Sequence, residues 1–61
     1  MEAKIEYEEK QAEIKNELVI LNDKLKNHKK IYSKDKTNWG YIGDLGYIIS
    51  HLKELNKFIN A

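Results

Sequence analysis

The sequence predicts an all-α fold: an antiparallel helical hairpin that assembles with copies of itself into a homo-oligomeric helix bundle. Three observations carry this expectation. Proline is absent, so no residue lacks the amide hydrogen that a helix interior requires. Apolar residues recur at helical spacing over two long stretches, the primary signal of amphipathic helices. One short polar segment, Ser33-Lys34-Asp35-Lys36-Thr37, separates them, and a link that short folds two helices back on each other.

The first helix is expected over about residues 2–32. Tyr7, Gln11, Ile14, Leu18, Leu21, Leu25, His28 and Tyr32 alternate in steps of four and three, which is the a/d seam of a coiled coil. Ile5, Ala12 and Val19 run beside it at seven-residue spacing. This second strip widens the apolar face beyond a two-stranded seam and points to a bundle. Glu9, Glu13, Lys4, Lys10 and Lys15 fall on the outer faces.

The second helix is expected over about residues 38–60, with Thr37 or Asn38 as its N-cap. Its stripe is Tyr41, Leu45, Ile48, Leu52, Leu55 and Ile59, with Ile42, Ile49 and Phe58 alongside. At ~1.5 Å per residue the first helix is about 45 Å long and the second about 33 Å. The first therefore overhangs, and Ile5 and Tyr7 on the overhang have no partner within their own chain. The expected oligomer interface comprises Ile5, Tyr7, Ile14, Leu18, Leu21 and Leu25 with Leu45, Ile48 and Leu52.

Composition sets the frame for these elements. Sixty-one residues make a single domain, 1–61, and a chain this small buries only about 60% of its unfolded surface, so its own core is marginal. With no cysteine neither disulfides nor thiolate metal sites can staple it, which leaves oligomerisation as the stabiliser. No apolar run has the length of a membrane span and no signal-peptide pattern opens the chain. The expectation is a soluble, unprocessed protein of the cytoplasm, a setting that suits a chain without cysteine.

Charge is unevenly spread. Residues 1–17 carry Glu2, Glu6, Glu8, Glu9, Glu13 and Glu17 against Lys4, Lys10 and Lys15, net −3. Residues 18–38 carry Lys24, Lys26, Lys29, Lys30, Lys34 and Lys36 against Asp23 and Asp35, net +4. In an antiparallel dimer of hairpins the acidic end of one copy lies beside the basic end of the other. All eleven positive charges are lysine, and the absence of arginine weakens any case for bidentate phosphate or guanine recognition. Nucleic acid is therefore a disfavoured partner.

Chemistry has few candidates. No cysteine is present and the chain holds two histidines, His28 on the seam and His51 on the second helix. A lone histidine reads first as a structural or surface residue. No Glu-x-x-His motif of the kind that holds metals in helix bundles occurs. The chain is expected to be no enzyme, and neither a metal nor a cofactor is assigned.

The distinctive segment is Asn38-Trp39-Gly40-Tyr41-Ile42-Gly43-Asp44-Leu45-Gly46-Tyr47, which contains all three glycines. Each glycine costs a helix roughly 0.8–1 kcal/mol relative to alanine. Either the strip at i, i+3 and i+6 lets a backbone or flat ligand approach closely, or Gly43-Asp44 is a turn capping a shorter helix that begins at Leu45. Beside it stand Lys34 and Lys36, and aromatic residues interleaved with lysines suit base stacking with phosphate neutralisation. The start of a helix also attracts anions. The candidate ligand site is Trp39, Gly40, Tyr41, Gly43, Asp44, Lys34 and Lys36. The competing structural reading makes Trp39 a plug for the end of the bundle and leaves the lysines solvated.

Trp39-Gly40-x-x-Gly43-Asp44-Leu45 followed by a short amphipathic helix resembles the C-terminal half of small proteins encoded by tailed bacteriophages. The resemblance covers about residues 38–60 and implies a viral accessory protein acting in the host cytoplasm. Such proteins include counter-defence factors, among them small helical oligomers that sequester nucleotide signals. The leading expectation is a non-enzymatic homo-oligomer that binds a small anionic ligand, a nucleotide. The alternative is a helical-bundle interaction protein that binds a host protein or structured RNA and no small molecule.

Overall fold

The structure is a computed structural model and describes residues 2–60; Met1 and Ala61, the ends of the expected 1–61 domain, lie outside the described residues. Two helices account for the fold: α1, Glu2–Lys34, and α2, Trp39–Phe58. No strand occurs among the described residues. The all-helical expectation therefore stands at the level of the elements. The chain divides into two compact units, Met1–Lys30 and Ile31–Ala61.

The Met1–Lys30 unit is helical throughout its described length. Glu2 lies in the first turn, where a negative charge interacts favourably with the helix dipole. The side-chain amide of Gln11 donates to the Tyr7 hydroxyl at 2.8 Å one turn earlier. Two adjacent members of the seam are thus joined by a polar contact, on the side of the helix where i and i+4 residues meet. Leu21, Leu25 and His28 are half-buried, whereas Ile14 and Leu18 are each 55% exposed.

The Ile31–Ala61 unit contains the end of α1, the turn and α2. Here the α1 boundary departs from expectation: Ser33 and Lys34, assigned to the link, are helical. Lys34 sits in the last turn, where a cation complements the carbonyl end of the helix, so two polar residues prolong the helix instead of breaking it. The turn then closes by hydrogen bonds. The Asp35 amide donates to the Tyr32 carbonyl at 3.0 Å and the Asn38 amide to the Asp35 carbonyl at 3.4 Å. Thr37 Oγ1 donates to Asp35 Oδ1 at 3.0 Å.

Asn38, one of the two expected caps, starts α2. Its backbone is extended, and its side-chain oxygen accepts the Gly40 amide at 2.9 Å. The other end stops at Phe58, slightly short of the expected boundary, with the Ile59 amide on the Leu55 carbonyl and the Asn60 amide on the Lys57 carbonyl. Among the described residues no glycine has positive φ. Gly43 and Asp44 consequently lie inside α2, and the alternative of a turn capping a helix from Leu45 is corrected: Asn38 already supplies the cap six residues upstream.

No described residue is buried. The residues with the most cover are Leu21, Leu25, His28, Tyr32, Tyr41, Ile48 and Leu52, every one a member of the two stripes read from periodicity. The rest of the large apolar set stays open, from Ile20 at 37% exposure to Phe58 at 86%. A fully buried Leu, Ile or Phe side chain contributes about 1.5–3 kcal/mol relative to an exposed one, and this chain on its own realises little of that.

Candidate functional site

The candidate site lies within the Ile31–Ala61 unit, spread over the last turn of α1, the turn 35–38 and the first turns of α2. Trp39 is the first residue of α2, placed there because the Asn38 cap fixes where helical geometry begins. Its indole is 78% exposed. A tryptophan so open within its own chain offers a flat π surface for a planar partner. Lys34 precedes the turn, Lys36 lies within it, and both are exposed.

Tyr41 is more covered than Trp39. It is half-buried, and its ring meets Tyr32 edge to face, with centroids 6.3 Å apart and planes at 86°. That geometry is a favourable aromatic pair and commits Tyr41 to packing the end of α1 against the start of α2. Trp39, at 78%, is the most exposed aromatic residue of the segment, ahead of Tyr47 at 67%.

The three glycines separate into two kinds. A Cβ on Gly40 would stand 3.0 Å from Asn38 Oδ1, whereas one on Gly43 or Gly46 would meet nothing within 4 Å. Gly40 therefore has a local reason: it leaves room for the capping oxygen over the helix start. The opening at Gly43 and Gly46 has no such partner in the chain. Since Trp39 and Gly43 are four residues apart on α2, they share a face, with the exposed indole at one end of an open strip. Asp44 follows on the next position of the second turn and is engaged in an interaction of its own.

The anion-attracting part of the expectation needs a change. The amides of Asn38, Gly40 and Tyr41 are taken by the Asp35 carbonyl, the Asn38 side chain and the Asn38 carbonyl. The helix dipole still favours negative charge here, but donated hydrogen bonds from these amides are already used. Beside the dipole, the positive charge at this end comes from Lys34 and Lys36.

The histidines serve locally. His51 Nδ1 lies 3.0 Å from the Tyr47 carbonyl, and its ring stacks on that of Tyr47 with centroids 4.2 Å apart. A carbonyl accepts only, so Nδ1 carries the proton in this contact. His28 is half-buried on α1 and engaged. Among the described residues no group of three His, Asp or Glu is placed to hold a metal ion. No helix is long and apolar enough to cross a membrane.

The expected interface residues fall into two groups by exposure. Ile5, Tyr7, Ile14, Leu18 and Leu45 are exposed, and Leu21, Leu25, Ile48 and Leu52 are half-buried. A shallow depression on α1 is lined by Gln11, Ala12, Ile14, Lys15 and Leu18, a feature that residue spacing did not reveal. The Asn38 to Gly40 contact is the capping bond expected of Asn38.

Two helices, an exposed Trp39 at the head of the second, and no buried residue among those described define a small all-helical protein with uncovered apolar faces. No known protein family matches the chain, and neither do the curated proteins or the solved structures.

Proposed function

We propose that this chain is a non-enzymatic accessory protein of the tailed-phage type that self-associates and binds a small anionic ligand with a planar group, a nucleotide. The observation that carries the ligand reading is Trp39, 78% exposed at the first residue of α2. Stacking supplies most of the affinity in this reading, since exposed aromatic rings take bases without regard to sequence. Lys34 and Lys36 neutralise phosphate, and the open face at Gly43 lets the planar group lie against the helix. Sequestration of a nucleotide signal in counter-defence is the biological role, in the cytoplasm of the host. The resemblance of the Trp39 to Leu45 motif to phage proteins supports that role.

Self-association is supported by the lack of any buried residue among those described. The finer arrangement in this proposal is an antiparallel hairpin, for which the short link 35–38 is the support, assembled into a homo-oligomeric bundle. The same uncovered apolar surface favours a second reading, in which the bundle displays its faces to a host protein or to structured RNA without a small-molecule ligand.

Thermal-shift and calorimetric titration of mono-, di- and cyclic nucleotides against wild type and Trp39→Ala at matched salt tests the proposal. A nucleotide that raises the melting temperature of wild type and not of Trp39→Ala is the expected result. If none does so, the interaction-protein reading replaces it.

A further inference from the structure

The seam on α1 contains two polar members, Gln11 and His28, and four apolar ones between them: Ile14, Leu18, Leu21 and Leu25. Their spacing has a symmetry about the point between Val19 and Ile20. When a second copy of the segment is laid antiparallel about that point, Leu18 falls opposite Leu21 of the second copy and Ile14 opposite Leu25. The next layer out places Gln11 opposite His28, and beyond it Tyr7 falls opposite Tyr32. Every apolar seam residue meets an apolar one, and the two polar residues meet each other.

Charges on the flanks of the seam select the same register. In antiparallel coiled coils, flanking residues pair with the equivalent flank of the other helix, and opposite charges there set orientation. This register puts Glu17 beside Lys24 of the second copy and Glu8 beside Lys29, each twice by symmetry, and brings no like charges together. Sliding one helix by a heptad in one direction sets Glu17 against Glu17 and Lys10 against Lys24. Sliding it in the other direction sets Lys24 against Lys24 and Lys15 against Lys29. A parallel pairing in register sets Lys10 against Lys15 and Lys24 against Lys29. Each of these three alternatives is opposed by like-charge contacts, and the register centred between Val19 and Ile20 is not.

The structure adds an independent observation. Gln11, Ala12, Ile14, Lys15 and Leu18 line the shallow depression on α1, and four of them, Gln11, Ile14, Lys15 and Leu18, have the spacing i, i+3, i+4, i+7. Four residues at this spacing form the hole into which a coiled-coil partner inserts a knob, and in this register the knob is Leu25 of the second copy. Ile14 and Leu18, the more open half of the seam, thereby receive cover from its more covered half.

We infer that residues 11–28 of α1 are a self-recognition surface that pairs antiparallel with the same segment of a second copy, centred between Val19 and Ile20. The inference rests on the self-association reading and fixes its register. Because the chain has no cysteine, introduced thiols report on it directly. An equimolar mixture of full-length Ile14→Cys and Leu25→Cys, oxidised gently, should give the mixed disulfide dimer. Ile14→Cys alone should not link to itself, since the two thiols stand roughly 16 Å apart along the pair at 1.5 Å per residue. Glu17→Lys should weaken dimerisation roughly tenfold by turning two attractive contacts repulsive, and Glu17→Lys with Lys24→Glu should restore it. A dimer by mass in which Ile14→Cys links to itself, the mixture fails to link, or the double reversal gives no rescue overturns the register while leaving self-association standing. A monomeric mass for wild type at every concentration overturns both.

Discussion

The Met1–Lys30 unit and the Ile31–Ala61 unit make opposite use of a helix. The first contains no glycine and holds an unbroken heptad pattern with charges on its flanks. The second contains all three glycines, the tryptophan and three of the four tyrosines, and it starts its main helix with an exposed ring and an open strip. Glycine lowers helix stability and opens surface in the same step. A chain with so little covered apolar area has small reserves, so the concentration of that cost in one helix identifies where shape matters more than stability. On the proposed reading the α1 seam serves assembly and the start of α2 serves the ligand, so substitutions at Leu18 and at Trp39 should separate the two.

The largest expected effect is in the first unit. Leu18→Ala removes a side chain that is 55% exposed in the single chain, and alanine is at least as good a helix former as leucine. On a lone helix the change is neutral or mildly stabilising. In an assembled seam it costs about 2–5 kcal/mol, which chemical denaturation at fixed protein concentration measures. A neutral result breaks the comparison, because the heptads would then serve nothing in the first unit.

In the second unit, Trp39→Ala should cost about 1–3 kcal/mol of nucleotide binding, the range for stacking on a base. The oligomer should stay intact by light scattering, since Trp39 lies outside the Leu18 to Leu25 seam. Loss of assembly in this variant would make Trp39 a plug between copies and move it from recognition to assembly.

Smaller effects sharpen the account of the α2 start. Asn38→Ala removes the oxygen that accepts the Gly40 amide and should lower stability by about 1 kcal/mol, seen in hydrogen exchange as fraying of the first turn of α2. Gly43→Ala should stabilise an open helix face by roughly 1 kcal/mol. Gly40→Ala should gain less than Gly43→Ala, because its Cβ meets the capping oxygen at 3.0 Å and must displace it. Equal gains at the two positions would remove the distinction between them. Gly43→Leu tests the open strip from the other side: disrupted assembly or binding means that something approaches Gly43 closely.

Much of this was legible in the sequence because helical periodicity is a local property. The two stripes, the Asn38 cap and the absence of strands follow from spacing and from side chains that act within one turn. The end of α1 was less legible. Ser33 and Lys34 look like link residues, yet a lysine in a last turn is stabilised by the carbonyls above it, and that balance hides a boundary by two residues. The glycines were the hardest to read. Composition alone makes Gly40, Gly43 and Gly46 equivalent, and only the direction of the Asn38 side chain separates the first from the other two. Tyr41 was grouped with Trp39 on residue type, and its ring contact with Tyr32 distinguishes a packing aromatic from an exposed one.

The central claim is that the apolar seam of this chain is covered by other copies of itself. Sedimentation equilibrium combined with thermal unfolding by circular dichroism, over about a hundredfold range of protein concentration, tests it most directly, because the stability of an associating chain depends on concentration by mass action. The account predicts a mass at a multiple of 7.2 kDa and a melting temperature that rises with concentration. A 7.2 kDa species with one melting temperature throughout would contradict it.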